Sequence, residues 1–154
     1  MLPTILSLCQ TVTFAPLENK IIEDILKQEG VESLLAAQAA RFAQGSAARA
    51  RLSAQALEDI IPLESGPAFA AQAAMALPRV LAAARVEAGC LLDMLSCAAY
   101  EKWLSAREEK QKSGLKELLE KMVFYKKALA RNTSPALVTE AALNNAEKLG
   151  VNLK

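Results

Sequence analysis

Apolar residues recur at three- and four-residue intervals through most of the chain, the spacing that lines one face of an α-helix. Pro16 opens a first helix near Leu17 with the apolar face Ile21, Ile22, Ile25 and Leu26, and Gly30 closes it at a position suited to a left-handed backbone. A second helix, from about Val31 to Gln44, shows the face Val31, Leu34, Leu35 and Phe42; Gly45 and Ser46 then read as a stop and a new N-cap. The third runs to Ile61, where Pro62 ends it, and residues 62–67 form the clearest loop in the chain. Residues 68–77 are helical in composition, and Pro78 is expected either to kink that helix or to begin the next one as its first residue.

The segment from about 79 to 104 has apolar residues nearly all round. Val80, Leu81, Ala84, Ala88, Leu91, Leu92, Leu95 and Ala98 share one side, and Ala83, Cys90, Met94 and Cys97 take much of the other. A helix of that kind is buried, so it is predicted to be the centre of the fold. A charged stretch follows, with a candidate kink at Ser113 and Gly114 and two favourable i,i+4 pairs, Glu108 with Lys112 and Glu117 with Lys121. The period then returns as a stripe of Leu115, Leu118, Leu119, Met122, Tyr125 and Leu129. Ser134 and Pro135 start a last helix that ends at Leu149–Gly150. The whole reads as an all-α, single-domain bundle of six or seven helices around the 79–104 helix. An apolar arm (1–16) precedes a helical domain (17–154), and no repeat of solenoid period is present.

Composition sharpens that reading. Hydrophobic residues make up 53% of the 154 and aromatics only 5%, with alanine at about a fifth, which describes closely packed helices. Six glycines, six prolines and no alternating β-branched runs argue against a β architecture. The net charge is +1, too small a field to draw the chain to nucleic acid or to an anionic membrane surface. The halves differ: residues 1–77 carry five basic and eight acidic groups, residues 78–154 thirteen and nine.

The first seventeen residues contain no charged side chain. No basic residue precedes the apolar run as a signal peptide requires, and Pro3, Gln10, Thr11 and Thr13 interrupt it as a membrane span. Leu2, Ile5, Leu6, Leu8 and Phe14 are therefore expected to pack on this chain or on a neighbour, with peripheral contact to a membrane as the lesser alternative. Cys9, Cys90 and Cys97 have neither metal nor redox spacing, and helix rise separates the last two by about 10 Å, so free thiols in a reducing, intracellular compartment are expected.

The sequence has no histidine, which removes histidine-based metal sites and Ser-His or Cys-His nucleophiles together. No glycine-rich phosphate loop or family-specific motif appears. No catalytic, cofactor-binding or metal-binding residue is assigned. Asp93 stands out as a charge inside the most apolar helix, either on its one exposed strip with Ser96 and Tyr100 or paired with Arg41, Arg49, Arg51 or Arg85. Lys121, Lys126, Lys127 and Arg131 interleave with Phe124 and Tyr125, a pattern that also suits an ordinary amphipathic helix.

The expectation is a non-enzymatic interaction protein, a subunit or adaptor in a larger assembly. Its predicted contact residues are the arm (Leu2, Ile5, Leu6, Leu8, Phe14) and the stripe of Leu115, Leu118, Met122, Tyr125 and Leu129. The partner is another protein or a second copy. The alternative is a bundle holding a lipid or other small apolar ligand in an internal pocket lined by Cys90, Met94, Cys97 and Trp103.

Overall fold

Alanine decides how closely these helices pack. A computed structural model describes residues 15–63 and 68–153. Among them are seven α-helices: α1 (Asn19–Gln28), α2 (Ser33–Phe42), α3 (Ala47–Ile60), α4 (Phe69–Ala76), α5 (Leu81–Ser105), α6 (Glu109–Ala130) and α7 (Pro135–Glu147). No strand occurs among the described residues. The arm residues Leu2, Ile5, Leu6, Leu8 and Phe14 lie outside the described residues.

α5 is the centre, as the sequence predicts, and packs against α2, α3, α6 and α7. Helices α1, α2 and α3 pack on one another, and α4 reaches from α3 to α7. The buried face of α5 runs from Ala84 to Ala99 and includes Leu91, Leu92, Met94 and Leu95, all nearly fully buried. Each such leucine contributes roughly 2–3 kcal/mol by burial, while Ala84, Ala88 and Ala99 contribute mainly by letting neighbouring backbones approach. Val80 and Leu81, expected on the buried side, are exposed at its N-terminal end.

Elsewhere alanine overturns faces read from larger residues. In α2 the inner side is Ala36, Ala39, Ala40 and Phe42, whereas Leu34 is 75% exposed. In α1 the buried pair is Ile22 and Leu26, and Ile21 is exposed. Close packing favours the face that leaves least between helices, even where the opposite face is more hydrophobic.

The turns are mostly where expected. Ser46 caps α3, accepting a hydrogen bond from the Arg49 amide at 3.4 Å. Ser134 is the N-cap position of α7 and Pro135 its first residue, but the Ser134 side chain makes no capping bond. Pro78 neither kinks nor starts a helix. It lies in the link after Leu77, whose extended backbone (φ −55°, ψ 146°) is what a following proline favours.

The candidate kink at Ser113–Gly114 is absent: α6 runs through it, and the chain turns earlier, at Ala106–Glu108. Gly114 serves contact, since a Cβ there would lie 3.2 Å from Leu149 Cδ2. Turning early folds the stripe inward. Leu115, Leu118, Met122 and Leu129 are buried within the chain, and Tyr125 is half-buried with its hydroxyl accepting from Asn145 Nδ2 at 2.8 Å. The stripe is thus a core face met by the chain's own helices, not an outward contact surface. Of the two predicted i,i+4 pairs, Glu117–Lys121 forms at 2.7 Å, whereas Lys112 turns to Glu109 at 3.8 Å.

Candidate functional site

Between α3, α5 and α6 lies an open groove of about 470 Å³. Its apolar walls are Phe42, Leu52, Val86, Leu129 and Ala130; Gly89 leaves open space, and Arg49, Arg85, Asp93 and Lys126 supply the polar part. Asp93 is not buried: its side chain keeps 37% exposure and joins Arg49 of α3, at 3.1 Å, to Lys126 of α6. Both predicted alternatives hold in part, because the residue is at an edge and is also paired. Half-exposed pairs of this kind contribute at most about 1 kcal/mol each, so their main effect is to fix three helices in register.

Arg49 extends the network by donating to Gln44 Oε1 at 2.6 Å, and Gln44 Nε2 lies 3.7 Å from Cys97 Sγ. Arg85 differs. Its Nε is buried and has no hydrogen-bond partner among the described residues. Three cations against one carboxylate give the groove a positive balance.

Of the four residues expected to line an internal pocket, Cys90 borders this groove and Met94, Cys97 and Trp103 do not. Met94 fills core space. Cys90 and Cys97 are both free and half-buried. Burial pushes the Cys90 thiol up; Ser53, 3.6 Å away, opposes this, and Asp93 adds to it. Cys90 is thus a thiol at neutral pH. It is expected to alkylate more slowly than a free cysteine peptide in a pH 8 iodoacetamide time course read by peptide mass spectrometry.

Glu87 escaped the sequence reading. It is 8% exposed on the inner side of α5, and no ion pair forms to it among the described residues. Burial raises its carboxyl above the ordinary 4.5, and Asp59 of α3 adds to the rise. A raised acid contributes stability that is present below the unfolded value and lost as pH climbs through the folded one. Glu87→Gln is therefore expected to melt higher than wild type at pH 7, by roughly 2–4 °C, with the gap closing near pH 4; thermal melts at both pH values check this.

Other exposed apolar residues lie on α4, α5 and α7. Phe69 at the start of α4 and Glu147 at the end of α7 line one pocket, and the two helices pack on each other. Met75 (84% exposed), Val80, Leu81 and Leu137 (65% exposed) are large apolar side chains left in water, Met75 in the last turn of α4 and the others at the starts of α5 and α7. No helix among the described residues is long and apolar enough to cross a membrane, and no cluster of three metal-ligating side chains occurs among them. No protein-family model, curated protein or solved structure matches the chain.

Proposed function

We propose that this chain is a non-enzymatic helical interaction protein that binds a protein partner through the exposed apolar residues Met75, Val80, Leu81 and Leu137. The exposure of these four side chains carries the reading. A bundle whose core is already closed by leucine and alanine gains nothing from leaving large apolar residues in water, and exposed apolar surface is characteristic of contact sites. The test is Leu81→Asp with Leu137→Asp in the full chain. Both positions are in the first turn of a helix, where a carboxylate suits the dipole, so the fold should keep its circular dichroism signal. The variant is expected to lose the partner that wild type retains on gel filtration of cell extract; a variant that keeps the same complex contradicts the proposal.

A second reading is favoured by the positive groove. Arg85, Arg49 and Lys126 beside apolar walls suit the carboxylate of an apolar acid. Gly89→Leu puts a branched side chain into this groove from a position where a Cβ meets nothing within 4 Å. Under this reading it abolishes retention of a long-chain fatty acid in native mass spectrometry while leaving the fold intact; unchanged retention removes the reading.

A further inference from the structure

The two halves of the chain carry opposite charge, and each places an unmatched apolar surface beside its own sign. In the N-terminal half, α1, α2 and α3 enclose a groove of about 890 Å³ lined by Leu34, Leu35 and Ile61, with Glu32 and Glu58 at its edge. Neither glutamate is in an ion pair among the described residues, whereas Glu29 in the same groove is held by Arg51. Leu34 projects into water instead of toward the core.

In the C-terminal half, the outer side of α6 presents Val123, Phe124, Lys127 and Arg131. Phe124 is 65% exposed, Val123 is exposed, and neither Lys127 nor Arg131 is in an ion pair among the described residues. Phe124, Lys127 and Arg131 follow at i, i+3 and i+7, which places them along one face. The basic and aromatic residues noticed in the sequence are thus split: Lys121 turns to Glu117, Lys126 to Asp93 and Tyr125 inward to Asn145, while Phe124, Lys127 and Arg131 stay on this ridge.

We infer that the acidic groove of one copy takes the α6 ridge of a second copy, in a head-to-tail contact. α6 packs on α5 and α7 and not on α1 or α2, so the ridge does not sit in its own groove. An apolar helix face with cations fits an apolar groove edged with carboxylates, a recurring mode of helix recognition in which charge sets partner and register. A contact between two different faces leaves one groove and one ridge free for further copies unless the arrangement closes. This rests on the reading of the chain as an interaction protein but uses other surfaces, so the two fail separately. Loss of a cellular partner on changing Leu81 and Leu137 says nothing about self-association of the purified chain.

The experiment is sedimentation velocity of the purified full-length chain over a concentration series at low and high salt. Wild type is expected to self-associate, less at high salt. Leu34→Ser with Glu58→Lys disables the groove, and Phe124→Ser with Lys127→Glu disables the ridge; each is expected to weaken association about tenfold or more. An equimolar mixture of the two variants keeps one intact groove and one intact ridge, and should give a 1:1 dimer and nothing larger. A wild type that is monomeric at every concentration overturns the inference, whatever the variants do, as does association that neither variant changes. Two monomeric outcomes would assign other occupants and equally overturn it: binding of anionic vesicles that depends on Phe124 and Lys127, or an intrachain disulfide from a Leu34→Cys variant to Cys9.

Discussion

Leu92→Ala is expected to lower stability by about 3 kcal/mol, seen as a fall of roughly 6–12 °C in the thermal midpoint. Leu92 is 1% exposed on the inner side of α5, where the helix is enclosed by its neighbours. Removing its branched end forfeits the transfer free energy of the lost carbons and leaves a cavity. Helices already in contact through alanine have little room to close it. The matched control is Leu34→Ala. Leu34 belongs to the same residue type and to a helix, yet it faces water, so its truncation should stay within about 0.5 kcal/mol of wild type. Equal losses at the two positions would mean that the inner face of α2 is misassigned.

Gly45→Ala should be nearly as damaging for a different reason. Gly45 has φ +80°, a left-handed conformation that costs a residue with a Cβ about 1–2 kcal/mol. A Cβ there would also fall 2.2 Å from Pro16 Cβ and 2.8 Å from Pro16 Cα. Both are ring or backbone atoms with no rotamer to yield. The segment at Pro16 must then move, and with it the 3.0 Å hydrogen bond that the Leu17 amide donates to the Gly45 carbonyl. A loss of about 2–4 kcal/mol is expected in chemical denaturation. Gly89→Ala provides the contrast, since it lies within α5 with open space around it and should stabilise by about 0.5–1 kcal/mol.

These substitutions separate what the sequence states clearly from what it states weakly. α5 is legible because its apolar residues run nearly all round it, a signal that needs no knowledge of the neighbours. The inner face of α2 is not, because an alanine face carries little hydrophobic signal and the leucines opposite it dominate the pattern. The Leu115–Leu129 stripe is legible as a face that must be covered. Amphipathicity does not say by what, and here α6 folds back after Ala106 so that the chain covers it itself.

The groove shows the same limit. Asp93 draws attention as a charge within an apolar run, and Arg49 is among four arginines that suit it. Lys126 is 33 residues away and is brought in only by the antiparallel return of α6. Glu87 had a usable signal: it falls on the Ala84, Leu91, Met94 and Ala98 face at helical spacing. That signal is weak because the residues flanking it are Arg85, Val86, Ala88 and Gly89 and no leucine.

On the function proposed above, the chain works through contact with other protein. The direct measurement is the native mass of the particle isolated from the cells that make it. The expected result is a mass greater than that of one chain, carried by a second copy, a different protein or both. A single chain at that mass measurement, folded and retaining a small apolar acid, would contradict it.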